Sequence, residues 1–274
     1  NMQTIARGDK KLLEDCYNIG DPDFQSYHHD LYRGMGRLWI MEQQPGPVNW
    51  AKYNPIPLAG AVRMWTWEAF AHDAEVVSYF RWRQAPFAQE QMHAGLMYRD
   101  NTPAIGSHEA MQVSNEMQML KLPETQKSEI ALLHDYEACW ITELDGQTED
   151  FHYTRLMIDF YKSVRVNGGS LDIVGKNADF AGYKLIIVPS FVHLETDTFK
   201  KMVSSGAKIL AGPRTGLKNR NFQIPENLSL EGLGYKVKRV DALPYELPVK
   251  VEWKGQKGNL HVWREQGDSS GVSE

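Results

Sequence analysis

The sequence predicts an α/β fold with parallel strands joined by crossover helices. Three observations carry that reading. Over the first part of the chain, helical periodicity and short apolar runs alternate as helix, strand, helix, strand, helix with short links. The alternation resumes after residue 130 with shorter strands, the texture of a doubly wound sheet. Charge also divides the chain: residues 1–159 hold 13 Lys/Arg against 23 Asp/Glu, whereas residues 160–274 hold 17 against 12. That asymmetry points to two domains, placed at 1–122 and 123–274 with a break at Lys121-Leu122-Pro123.

In the first domain, residues 1–22 carry no clear period and end in the turn signal Gly20-Asp21-Pro22. Residues 23–36 follow as a helix, with Phe24, Tyr27, Leu31 and Met35 along one face. Residues 38–41 form a short apolar run, a buried strand. Pro55 and Pro57 break the chain before a helix over 58–72, whose Val62, Met64, Trp65, Trp67 and Phe70 demand heavy packing. A second strand spans 75–82, and 107–120 is helical with Ser107 as its cap.

In the second domain, 130–133, 171–174, 185–188 and 209–210 are strand-like, and 153–164 and 196–204 helical. This succession suggests an amidotransferase-like α/β domain, a fold in which a cysteine on a sharp strand-to-helix turn attacks an amide. Here the turn is Val188-Pro189-Ser190-Phe191, without the Gly-x-Cys/Ser-x-Gly elbow. Cys139 is expected to be buried rather than catalytic, and the domain to be a scaffold. From Lys236 onward, alternation in 250–253 and 260–263 predicts strands, and the final Gly-Asp-Ser-Ser-Gly run looks frayed.

The chain has 274 residues, 42% of them hydrophobic, and a mean hydropathy of −0.48, so a soluble fold with an ample core is expected. No apolar run approaches the ~18 residues that span a bilayer. Cys16 and Cys139 each lack a neighbouring cysteine, which argues against a zinc motif or a disulfide scaffold and favours a reducing, cytoplasmic setting. No basic-then-apolar leader follows Asn1. Basic residues are scattered, which argues against nucleic-acid binding. No cofactor is expected.

The chemistry concentrates near residues 38–50, LWIMEQQPGPVNW, where an apolar strand delivers one carboxylate, Glu42, straight into a turn. A strand-end glutamate is, on spacing alone, more often a salt-bridge partner. Glu90 and His93 stand three apart, and on a helix they would share a face. A carboxylate beside an imidazole can hydrogen-bond two adjacent sugar hydroxyls. The alternatives are a surface pair or a two-ligand metal site, which is weak without a third donor. Five of the eight tryptophans fall between Trp39 and Trp82, and indole packs on the C–H faces of sugars. Trp65 and Trp67 belong to the core, and Trp50 follows the turn. Arg81 and Arg83 flank Trp82, where an arginine either favours the ionised state of Glu42 or forms a structural pair. Gln43 and Asn49 are plausible polar lining. Asn115-Glu116, the only Asn-Glu pair, falls mid-helix as a solvated face.

The stretch from residue 38 to about Gly95 resembles glycoside hydrolase family 42, the β-galactosidases. The segments YKLIIVPSF and GPRTGLKN resemble the trimerisation domain of that family. The resemblance implies that residues 1–122 are the C-terminal portion of a (β/α)8 TIM barrel, its seventh and eighth units. It implies that 123–274 are a trimerisation domain, shortened at its C-terminus, that assembles a homotrimer. The implied activity is retaining hydrolysis of terminal non-reducing β-D-galactosyl residues, with Glu42 as nucleophile and Trp50, Glu90 and His93 on the substrate. Retention needs two carboxyl groups ~5–5.5 Å apart. The acid/base glutamate of the family follows an Asn on the fourth strand, ahead of Asn1, so the isolated chain is expected to lack its proton donor. The alternatives are an α-L-arabinopyranosidase, a β-fucosidase, or a non-catalytic sugar-binding or assembly fragment.

Overall fold

The structure, a computed structural model, describes residues 10–225 and 234–269. The expected irregular stretch before residue 10 and the frayed residues after 269 lie outside that range. The chain divides into two compact units, residues 1–126 and 127–274.

In the first unit, α1 (Lys10–Cys16) lies in a stretch where the sequence showed no period. The reason is that Cys16 is its one buried residue, while Lys10–Glu14 and Lys11–Asp15 pair along an exposed face. Helix α2 (Pro22–Arg33) starts from Asp21, whose carboxylate accepts from the N–H groups of Asp23 and Phe24 at 2.9 and 3.3 Å. Strand β1 (Leu38–Gln43) is two residues longer than expected, so Glu42 is its penultimate residue. Helix α3 (Ala61–Ala71) begins later than expected because Gly60 turns the chain at φ 88°. Its first N–H groups are satisfied from outside. The buried Glu109 carboxylate accepts from Gly60 at 2.7 Å and from Arg63 at 3.0 Å.

Strand β2 (Ala74–Tyr79) runs parallel to β1, with Leu38 opposite Ala74 and Gln43 opposite Tyr79. It stops short of the expected residue 82 because the chain from Arg81 pairs elsewhere: the N–H groups of Leu96 and Met97 donate to Arg81 and Trp82, each at 2.8 Å. Helix α4 (Ile105–Met119) starts after Ala104, two residues ahead of the expected position, and Ser107 is not its cap. Leu38, Ala69 and Ala74 form one core cluster with Ile40, Phe70 and Val77 against it. Ala61, Val62 and Trp65 form a second with Ile19 and Tyr79. Trp67, expected in the core, is only half-buried, and its indole N–H donates to Glu116 at 2.8 Å. Glu116 is not a solvated face either. It accepts from Arg63 on α3 and from Gln112 on its own helix, and so ties α3 to α4.

In the second unit, β3 (Ile130–Leu133), β4 (Asp172–Val174), β5 (Leu185–Val188) and β6 (Lys208–Ala211) form a parallel sheet in the order β4-β3-β5-β6. Helices α5 (Tyr136–Leu144), α6 (Tyr153–Val166) and α7 (Thr196–Ser204) connect the strands. Helix α5 went unread in the sequence; Asp135 starts it by accepting from the N–H of Ala138 at 2.9 Å. Strand residues Ala131, Leu133, Ile186 and Val188 pack with Phe180, Phe191, Phe199 and Met202. Strand β7 (Tyr235–Ala242) pairs antiparallel with β10 (Trp263–Ser269), and β8 (Val249–Trp253) with β9 (Gln256–Leu260). The expected strand at 260–263 is split, since Leu260 ends β9 and Trp263 starts β10, with Val262 between them at φ 69°. Gly267 and Asp268, expected to fray, are paired with β7.

Arg214 anchors the GPRTGLKN turn. It is 1% exposed, and its guanidinium donates to the carbonyls of Asp145 at 2.8 Å and Gly146 at 3.2 Å. The same group lies over the rings of Phe151 and Trp263. Among the described residues, no helix is long and apolar enough to cross a membrane.

Candidate active site

Strand β1 ends in the first unit beside a cleft of about 280 Å³, and Glu42, Trp50 and His93 all line it. Glu42 is exposed, and among the described residues no hydrogen bond or ion pair engages its carboxylate. A strand-end glutamate held as a salt-bridge partner would show the opposite. Its neighbour Gln43 is buried, lines the same cleft, and accepts the Phe80 N–H on its carbonyl at 3.1 Å. The turn that follows is fixed from the other side, where the Ala94 N–H donates to the Pro47 carbonyl at 2.9 Å. That bond brings His93 to the cleft.

His93 is 4% exposed and donates from Nδ1 to the Ala94 carbonyl at 3.0 Å. The bond selects the tautomer and leaves Nε2 as an acceptor. The Phe80 ring meets the imidazole edge-on at 5.2 Å. Trp50 is 72% exposed, an open indole face at the rim. The side-chain oxygen of Asn49 is buried without a partner, although Asn49 itself is absent from the cleft lining.

Glu90 departs from expectation. The 90–93 segment is a turn, not a helix, with Glu90 at φ 55° and the His93 N–H donating to the Glu90 carbonyl at 3.0 Å. The backbone pairing of 81–84 with 96–97 leaves too little chain for helical turns. Glu90 therefore lines a separate cavity of about 630 Å³, not the one beside Glu42. Arg81 donates to its carboxylate at 3.0 Å, which resolves the role of that arginine as a partner of Glu90. Arg83 turns to Asn101 at 2.9 Å.

Six lining residues escaped the sequence reading as site residues: Gln25 and His29 on α2, Ile40 and Gln44 beside Glu42, Val48, and Phe80. Gln25 and His29 are four apart and within 3.3 Å, a helical pair hidden behind the apolar stripe of the same helix. Burial, and then the nearby His72, lower the His29 imidazole to about 4. In the second unit, burial pushes the Cys139 thiol up to about 11, and Glu143 adds to the effect. That thiol is half-buried and a poor nucleophile, in keeping with the absent elbow.

A family model described as beta-galactosidase matches residues 6–120, and one described as beta-galactosidase trimerisation domain matches 128–272. A β-galactosidase from a Thermus species is 48% identical over 256 residues, covering 91% of this chain and 40% of that protein. One from Thermus thermophilus is 47% identical, covering 90% and 39%. Among solved structures, a β-galactosidase from the psychrophilic Marinomonas ef1 superposes with a TM-score of 0.88 at 44% identity, covering 96% of this chain and 42% of that one. A polyextremophilic β-galactosidase from Halorubrum lacusprofundi gives 0.88 at 34% identity, covering 93% and 39%. The chain thus spans about two fifths of the length of the curated relatives it matches.

Proposed function

The chain belongs to glycoside hydrolase family 42, the β-galactosidases, and on that premise we propose that its first unit is the nucleophile side of a retaining β-galactosidase. The observation that carries this reading is the solvent-facing Glu42 carboxylate at a strand end, unpaired among the described residues and sharing one cleft with Trp50 and His93. In the proposed reaction Glu42 attacks the anomeric carbon of a terminal β-D-galactosyl residue. The bond to the leaving oxygen breaks as a second carboxyl group protonates it, and a covalent galactosyl-enzyme results. Water, deprotonated by that second group, then releases galactose with retention.

Glu42 is the one carboxylate lining the cleft among the described residues, which supports an acid/base group supplied from outside this segment. His93 Nε2 is free to accept from a sugar hydroxyl, and Trp50 offers its face to the C–H side of the ring. Glu90, oriented by Arg81, accepts from a further sugar hydroxyl. The parallel pair β1–β2 with its crossover helix suits the last two units of a (β/α)8 barrel. The four-stranded sheet suits an amidotransferase-like domain that assembles a homotrimer.

The test is Glu42→Ala in a polypeptide that carries this segment within a complete barrel. Turnover should fall by roughly 10⁴-fold or more. Azide should restore turnover of an activated galactoside and yield the α-galactosyl azide, because an external nucleophile then fills the space of the missing carboxylate. Undiminished turnover would remove Glu42 from the reaction, and an inactive variant that azide cannot rescue would deny it the nucleophile's role.

A further inference from the structure

The sheet order of the second unit reverses between β3 and β5. Loops that leave such neighbouring strands in opposite directions part at the C-terminal edge, and open α/β sheets bind ligands in that crevice. Here the β3 end contributes Asp135, in the loop, and Glu137, in the first turn of α5, and the β5 loop contributes Ser190 and His193. One donor atom from each of Asp135, Glu137 and His193 lies within 4.8 Å of the other two. His193 Nε2 is 3.3 Å from Glu137 Oε2 and 4.0 Å from Asp135 Oδ1. Three atoms so spaced share a centre within about 2.8 Å of each, and zinc bonds to nitrogen and oxygen are ~2.0–2.2 Å. Shifts of under about 1 Å would close the triangle.

Two further observations separate this cluster from an ordinary surface ion pair. His193 is 5% exposed, a buried imidazole turned toward two carboxylates. Of the three buried side-chain polar atoms without partners among the described residues, two belong to this one loop: Ser190 Oγ and His193 Nδ1. The cluster also already attracts a cation. Lys176 Nζ sits 2.8 Å from Glu137 and 3.7 Å from Asp135 on a side chain that is one-third exposed. Hydrogen bonding from Lys176, and then from His193, holds the Glu137 carboxyl below its usual range.

We propose that Asp135, Glu137 and His193 form a divalent transition-metal site at this switch point, with Lys176 as an internal cation that the metal displaces. The donor set of one imidazole and two carboxylates suits Zn²⁺, Mn²⁺ or Co²⁺ better than Ca²⁺ or Mg²⁺, which take oxygen alone. On binding, the imidazole ligates through Nε2 and carries its proton on Nδ1, and the ammonium swings into solvent. Because Nδ1 has no acceptor among the described residues, the site lacks the outer support that is worth roughly 10–100-fold in affinity. Micromolar rather than nanomolar binding follows.

The test is calorimetric titration of the 274-residue chain with Zn²⁺. One saturable site of micromolar affinity is expected, with a raised melting temperature. Lys176→Met, at a half-buried position, should tighten binding by about 10-fold or more, because the two carboxylates lose their internal competitor. Glu137→Gln, at an exposed one, should weaken it by a similar factor. His193→Asn should abolish it; if that buried variant fails to fold, the other two variants decide alone. Affinity unchanged or lowered by Lys176→Met, or affinity unchanged by Glu137→Gln, overturns the site.

Discussion

Gly106, the second residue of α4, sets two effects of opposite sign against each other. Alanine within a helix is normally more stable than glycine by roughly 0.5–1 kcal/mol. At Gly106, however, a Cβ would lie 2.0 Å from the Pro45 carbonyl oxygen, 2.8 Å from the Pro45 carbonyl carbon and 3.0 Å from the Pro45 Cβ. Real Cβ contacts essentially never fall below 3.0 Å, so something must move by about 1 Å. The obstacle is backbone and cannot swing away like a side chain. Overpacking of this kind costs about 1–3 kcal/mol, and a backbone obstacle puts Gly106→Ala at the upper end. After the helical gain is subtracted, a net loss of about 2 kcal/mol remains. For a unit of this size that is roughly 6–10 °C in melting temperature. Tryptophan fluorescence during urea unfolding reads the change, since five of the eight tryptophans lie in the first unit between Trp39 and Trp82. A variant as stable as the parent, or more stable, would refute the reasoning, because propensity would then have outweighed the clash.

Two other perturbations test the packing of each unit. Arg63, and then Trp67, hold the Glu116 carboxyl below its ordinary 4.5 in the folded chain. A depressed carboxyl stabilises above the unfolded value and loses that contribution as pH falls through the folded one. The urea midpoint of the first unit should therefore decline below about pH 4.5, and Glu116→Gln should flatten part of that decline; identical acid limbs would count against the tie. Arg214→Met removes two charge-assisted hydrogen bonds and leaves the Asp145 and Gly146 carbonyls without those donors. Unfolding of the second unit followed by circular dichroism should show a loss of about 3 kcal/mol, and a loss under about 1 would make the guanidinium dispensable.

The parallel α/β plan was legible because both units repeat the same contrast, apolar runs of strand length between helical periods. Boundaries were not, because capping is decided at a distance. Helix α3 is capped by Glu109, 49 residues beyond Gly60, and no local pattern announces that bond. Helix α5 was missed because its start, at Asp135, sits directly behind an apolar strand. The site divides along the same line. Glu42, Trp50 and His93 reach one cleft because a strand end and a proline-rich turn place them there. Glu90 does not, because spacing of three implies a common face only on a helix, and that segment is a turn. The Asp135, Glu137 and His193 cluster was invisible for a different reason. His193 lies 56 residues beyond Glu137, and only the adjacency of β3 and β5 joins it to the two carboxylates.

The cleft geometry rests on backbone more than on side chains. Glu42 follows from β1 pairing with β2, the turn after it is fixed by the Ala94 N–H on Pro47, and His93 comes with that bond. A Cβ on Gly46 would meet the Ala94 Cβ at 2.7 Å, and one on Gly106 would strike Pro45. The same turn is thus pressed from two directions by glycines that lack the atom that would displace it. Substitution of a lining side chain such as Gln43 alters what touches a ligand, whereas bulk at Gly46 or Gly106 moves the frame that aims Glu42. A glycine contacting no ligand can therefore matter to the Glu42–His93 spacing as much as a residue in the cleft wall.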